Sequence, residues 1–150
     1  MVAHGPYRYS LARRWGGGAR ALFVMLNPST ADDVGDDPTI RRCIGFARRW
    51  RCGALEIVNL YALRATYPED LFAHDAPVGP ANDDAIADAA TRAQTIVVAW
   101  GAHARDAERV ERVLELLRDR PLQCLGTNRG GTPRHPLYLP RTSRRRPWRA

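Results

Sequence analysis

Lysine is absent from this chain: all 23 basic residues are arginine. No side chain can therefore form a Schiff base, and amine-based covalent catalysis is excluded except through the N-terminus. Cysteine is scarce. Cys43, Cys52 and Cys124 are odd in number, widely spaced and free of any CxxC pair. That pattern argues against a disulfide framework or a cysteine-rich zinc or iron–sulfur centre, and all three read as packing residues. No apolar run reaches transmembrane length and the N-terminus has no signal-peptide pattern, so a cytoplasmic protein without a membrane partner is expected. The triple glycine at 16–18 lacks the GxGxxG and Walker patterns, and no GxSxG elbow occurs. Asp32, Asp33, Asp36 and Asp37 crowd one loop, but their spacing is not that of a calcium loop, and acids are favoured ahead of a helix in any case. His4, His74 and His103 lack partner spacing and read as surface or capping residues. Neither a metal nor a cofactor is expected.

What is present suits one domain with a real core: 150 residues, 45% of them hydrophobic. The formal net charge is +7. Arginine in place of lysine also follows from genome composition, so the bias alone names no partner. The last ten residues, RTSRRRPWRA, are more specific, with five arginines and no acid. They read as a tail (141–150) appended to a domain (1–140), either a solvated end or a polyanion contact in which Arg141, Arg144, Arg145, Arg146 and Arg149 meet phosphates. Trp148 among them favours nucleic acid, because an aromatic ring can stack on bases.

Hydrophobic patterning predicts an α/β fold. YRYSLARR (7–14) reads as an edge strand followed by the glycine turn. Continuous apolar runs at 21–26, 54–63, 95–100 and 122–126 read as core strands, as a sheet covered on both faces requires. Between them lie helical patterns. Pro38 opens one with Asp37 as its cap, and Ile40, Cys43, Ile44 and Ala47 form its buried stripe. A short turn follows Pro68. NDDAIADAATRA is capped by Asn82 or Asp83. Residues 102–120 form the clearest helix, with Val110, Val113, Leu114 and Leu117 on one face. The alternation predicts a three-layer α/β/α sandwich around a mostly parallel four-stranded sheet.

Ligands of such sheets bind beyond the carboxyl ends of the strands. The strand exits are therefore the residues to weigh. They are Asn27-Pro28-Ser29, Asn59, Trp100-Gly101 and, after the last strand, His135-Pro136. Each also has an ordinary structural explanation: a turn before proline, a satisfied buried amide, a tight turn, a loop histidine. Parallel strands nonetheless bring all four exits to one edge, where two amides and an imidazole can converge on one cleft.

YRYSLARRW, MLNPSTAD, DDPTIRRCIGFARRW, VNLYALRAT, GPANDDAI, AWGAHAR and HPLYL together resemble, nearly end to end, the family catalogued as Domain of Unknown Function 1643. More distantly, the motif order is similar to the uracil-DNA glycosylase superfamily. That second resemblance implies a four-stranded parallel sheet between helices. It also implies a water-positioning loop at Asn27-Pro28, a base-reading Asn59, a Trp100-Gly101 strand end, and a His135 that supports the departing base. The chain departs from that superfamily at Leu137, where serine is usual, and at Ser29, where its best-known branch has a tyrosine that excludes 5-substituted pyrimidines. Position 27 is Asn rather than Asp, as in the slower mismatch-specific branch.

The expected chemistry is hydrolysis of the N-glycosidic bond of a deaminated or modified base. Asn27 and His135 are the candidate catalytic residues; Pro28, Ser29, Asn59 and Trp100 are the candidate substrate contacts. An amide orients a water but is a poor base, so the leaving group must depart early. Without lysine such a DNA glycosylase-like enzyme is monofunctional. Two alternatives use the same residues: a non-catalytic module that binds a nucleotide or nucleic acid, and a hydrolase of a free nucleoside or nucleotide.

Overall fold

The computed structural model describes residues 1–29 and 31–150. Seven strands form one mixed sheet: β1 (Val2–His4), β2 (Tyr7–Arg14), β3 (Arg20–Met25), β4 (Ala54–Asn59), β5 (Thr95–Val98), β6 (Leu122–Cys124) and β7 (Arg146–Pro147), in the order β1-β2-β4-β3-β5-β6-β7. Four helices accompany them: α1 (Pro38–Arg49), α2 (Pro68–Ala73), α3 (Asn82–Arg92) and α4 (Ala107–Leu116). The sequence-based expectation of a four-stranded sheet needs correcting. The four expected core strands are mutually parallel neighbours, β4-β3-β5-β6. Three antiparallel strands extend them: β1 and β2 on one side, β7 on the other. β1 and β7 are three and two residues long, exposed throughout, and lack the apolar run that marks the equally short β6.

Alternation along the strands splits the core into two layers. Ala21, Phe23 and Met25 of β3 face α1, meeting Ile40, Cys43 and Phe46. Leu22 and Val24 face the other way, towards Ile86 and Ala89 of α3 and Val113 of α4. Cys43, Cys52 and Cys124 are free and buried within these layers. None of the helices is long and apolar enough to cross a membrane among the described residues.

Side-chain caps fix two of the four helix starts. Asp37 caps α1, its side chain accepting from the Ile40 N–H, and Pro38 occupies the first turn. Asp106 caps α4 in the same way through Arg109 N–H, which starts that helix five residues later than its sequence pattern suggests. For α3 the expected Asn82 or Asp83 cap is not used: Ala81 is the cap residue and no side chain bonds there. Asn82 turns inward instead and donates to the carbonyls of Asn59 (2.9 Å) and Leu60 (3.1 Å), satisfying the backbone where β4 ends.

The triple glycine carries the chain from β2 towards β3 and lies flat on Gly53. A Cβ at Gly53 would stand 2.0 Å from the Gly17 carbonyl oxygen and 2.6 Å from that of Gly16. Both obstacles are backbone, so neither can swing aside. Gly53→Ala is expected to destabilise the protein by about 3 kcal/mol through this overlap; urea unfolding followed by circular dichroism measures it. A loss under about 0.5 kcal/mol would mean that the turn shifts freely.

The residues expected as a tail are partly built into the sheet. Arg146 and Pro147 pair with Cys124 and Gln123. Trp148 is half-buried, packs edge-on against Trp100 with ring centroids 5.5 Å apart, and donates its indole N–H to the Gly131 carbonyl.

Candidate functional site

The connections of the sheet determine where a crevice opens. From β3 the chain crosses through α1 on one face to reach β4. From β5 it crosses through α4 on the other face to reach β6. The segments leaving β3 and β5 therefore diverge to opposite sides, although the two strands are adjacent. Such a switch point is where parallel α/β sheets leave room for a ligand. A cavity of about 540 Å³ lies there, within the size range that takes a small molecule.

Five of the six residues expected at the site line this cavity: Asn27, Pro28 and Ser29 from the end of β3, Trp100 from the end of β5, and His135 from the segment after β6. Asn59 does not. It ends β4, one strand away from the switch point, is 1% exposed, and its amide has no hydrogen-bond partner among the described residues. Thr30, the last residue of the NPST stretch, lies outside the described residues.

The loop after β3 is stapled in place. Asn27 Nδ2 donates to the carbonyls of Pro28 (3.0 Å) and Ala65 (2.8 Å), with a longer contact to Leu63. The Ala65 N–H returns a bond to the Pro28 carbonyl. These bonds use the donor side of the amide, and among the described residues no hydrogen bond uses Asn27 Oδ1. The Ser29 hydroxyl donates to Asp37 Oδ2 at 2.8 Å, a bond between two residues of the cavity wall.

On the opposite wall, Gly101 permits close approach. It adopts a φ of +80°, and a Cβ there would meet the His135 Cβ at 3.4 Å. The Leu137 N–H donates to His135 Nδ1 at 3.2 Å. In the neutral ring the proton must then sit on Nε2. Burial lowers the His135 pKa below the usual histidine value, opposed by the nearby Asp37 carboxylate. The imidazole is thus neutral near pH 7 and offers one donor, Nε2–H.

Two cavity residues carry no site signal in the sequence. Asp37 is 9% exposed and is the one carboxylate on the cavity wall among the described residues. In the sequence it reads as a helix cap and as one of the acids of a loop without calcium-ligand spacing. Arg8 is 2% exposed and lines the same cavity. The sequence reads its strand as an edge, but β1 pairs outside β2, and a bulge interrupts the alternation: Val2 pairs with Ser10 but Ala3 pairs with Arg8, leaving Tyr9 as an extra residue in β2. His103, expected at the surface, is exposed but also lines the cavity.

The rest of the acidic loop is occupied by local bonds. Asp32 Oδ1 accepts from the N–H groups of Val34 and Gly35, which lowers its pKa. Asp36 pairs with Arg13 at 2.9 Å. Of the five C-terminal arginines, Arg141, Arg144, Arg146 and Arg149 are exposed. Arg145 is half-buried, stacked over Trp50 at 4.6 Å and bonded to Thr95 Oγ1.

Fold and site together define a mixed α/β protein with a ligand-sized cavity at the switch point of its parallel strands. Residues 8–137 match the family described as "Protein of unknown function (DUF1643)", and the chain belongs to that family. No curated protein and no solved structure matches the chain.

Proposed function

We propose that this protein is a hydrolase that cleaves the N-glycosidic bond of a deaminated or modified base, acting on DNA as a monofunctional glycosylase. The observation that carries the reading is the pairing across one cavity of a neutral histidine with a fixed Nε2–H and an asparagine whose carbonyl oxygen is free of other bonds among the described residues. The order of Asn27-Pro28, Trp100-Gly101 and His135-Pro136 along the chain, and the likeness of that order to the uracil-DNA glycosylase superfamily, support the same reading.

The step balances without a metal or cofactor. A water oxygen, oriented by Asn27 Oδ1, forms a bond to C1′ of the sugar. The C1′–N bond breaks and its electron pair leaves with the base. His135 Nε2–H donates a hydrogen bond to the negative charge growing on that base. The water proton passes to the Asp37 carboxylate, the acceptor that the wall provides. With no lysine to attack the opened sugar, the product is an abasic site in an uncut strand.

Purified protein incubated with uracil, hypoxanthine, xanthine and 5-substituted uracil in single- and double-stranded DNA is the direct test. Ser29 in place of a bulky ring favours tolerance of the 5-substituent. Release of no base from any of them ends the catalytic reading. One observation favours a second reading, in which the cavity binds a nucleotide without turnover: both Asp37 oxygens already serve structural hydrogen bonds. Binding of the same ligands with no base release would identify that case.

Acting on DNA also requires phosphate contacts, which the exposed Arg144, Arg146 and Arg149 can make. Deleting residues 141–150 would strip β7 and Trp148 from the sheet, so charge substitution is the cleaner experiment. The triple change of these three arginines to glutamine is expected to weaken duplex binding uniformly across sequences. The slope of log affinity against log salt should flatten by about 0.9 for each phosphate no longer neutralised. Fluorescence anisotropy at several salt concentrations reads both; an unchanged slope would make this segment a solvated end.

A further inference from the structure

Four charged side chains are buried among the described residues: Arg8, Asp37, Glu56 and Arg109. Three have direct charged or donor partners. Glu56 meets Arg92 at 2.8 Å and Arg20 at 3.3 Å. Arg109 meets Asp83 at 2.7 Å and also donates to the Leu60 carbonyl. Asp37 accepts from the Ile40 N–H and the Ser29 hydroxyl. Arg8 is the exception. Its guanidinium makes one hydrogen bond, from Nη1 to the Ala31 carbonyl at 3.0 Å, and its buried Nε has no partner among the described residues. No carboxylate of the described residues lies within ion-pair distance of it. The nearby Asp37 only partly offsets the burial, which pushes the Arg8 pKa down to about 10.

A guanidinium has five N–H donors in a planar fork. Burying it is costly unless an anion and further acceptors answer it. A fold that needed only to fasten Ala31 could do so with a neutral donor. The cation instead forms part of the wall of the cavity that also holds Asn27 and His135. A desolvated, underpaired arginine facing a cleft is suited to an incoming oxyanion, because the fork matches phosphate oxygens and low polarity strengthens the attraction.

We propose that Arg8 is the anion-binding group of this cavity and that the ligand brings a phosphate to it. The choice of phosphate among oxyanions rests on the nucleotide reading given above. Two sources share that chemistry: the 5′-phosphate of a free nucleoside monophosphate, and a phosphodiester flanking a nucleotide turned out of a strand.

Isothermal titration calorimetry with the intact protein tests it. The probes are deoxyuridine, deoxyuridine 5′-monophosphate, a uracil-containing trinucleotide, and inorganic phosphate as competitor. A phosphate-bearing probe is expected to bind about tenfold to hundredfold more tightly than deoxyuridine, the gain typical of hydrogen bonds to charged groups. Inorganic phosphate should compete with it. A monophosphate that outbinds the trinucleotide assigns the site to free nucleotides; the reverse order assigns it to a strand. Arg8→Met should erase the phosphate preference, and Arg8→Lys, which keeps the charge but not the fork, should reduce it. Circular dichroism establishes whether each variant is folded, and the wild-type comparison needs no variant. Binding of deoxyuridine as tightly as both its monophosphate and the trinucleotide overturns the proposal. So does failure of every phosphate-bearing probe to bind, or a full preference retained by a folded Arg8→Met variant; loss of the preference in Arg134→Gln would then assign it to Arg134, the exposed second arginine on the cavity wall among the described residues. Binding rather than base release is the readout, so a protein that cleaves nothing can still show Arg8 at work.

Discussion

His135→Ala is expected to slow base release by about two to three orders of magnitude while leaving the fold intact. The ring offers one donor to the cavity because the Leu137 N–H occupies Nδ1. That backbone bond sets the tautomer before any substrate arrives, so no reorganisation is needed as charge develops. Losing one such preorganised donor costs about 10²–10³ in rate. His135→Gln can still present an N–H and should lose less. Single-turnover release of uracil from an oligonucleotide measures both. A rate within a few-fold of wild type for His135→Ala would remove the histidine from the chemistry.

The same ring fixes the sign of the pH dependence. Burial holds the His135 pKa in the folded protein below the ordinary histidine value of about 6.5. If the neutral ring is the donor, activity should be on a plateau near pH 7 and fall only on the acid side, through the lowered pKa. Stability moves in the same direction. The unfolded chain protonates first, so the contribution from keeping this ring neutral is complete above about pH 6.5 and is lost as pH falls towards the folded value. A donor that had to be the imidazolium would give the opposite limb, with activity rising as pH dropped.

Much of the site was legible because strand exits follow from apolar runs. The runs ending at Leu26 and Trp100 mark Asn27-Pro28 and Trp100-Gly101 without any knowledge of strand order, and both line the cavity. Asn59 shows the limit. Its position at a strand end is equally clear, but the cavity lies where the chain reverses direction across the sheet, between β3 and β5, and strand order is not written in periodicity. Arg8 fails for a different reason. An arginine in an edge strand reads as solvent-facing, and a one-residue bulge cannot be seen from YRYSL. Likewise the sequence of the last ten residues carries their charge but not the pairing of Arg146 with Cys124, because a two-residue strand has no pattern.

Asp37 was half legible, and its capping role can be separated from the proposed one. As a cap it accepts the Ile40 N–H; as a cavity residue it is the carboxylate available to the proposed water. Asp37→Asn keeps a side-chain oxygen for Ile40, and Ser29 can rotate its hydroxyl to accept from the new amide. The helix start should survive with a loss well under about 1 kcal/mol. The base, however, is gone, because an amide cannot take the water proton. Removing a general base costs about 10²–10⁴ in rate. Asp37→Ala should show the same rate loss together with about 0.5–2 kcal/mol of stability from the missing cap. Denaturant unfolding and single-turnover base release, measured on both variants, distinguish the roles. If Asp37→Asn releases base at the wild-type rate, Asp37 is a cap alone. The water would then be oriented by Asn27 without a base, and the reaction would have to draw its whole rate from early departure of the leaving group onto His135.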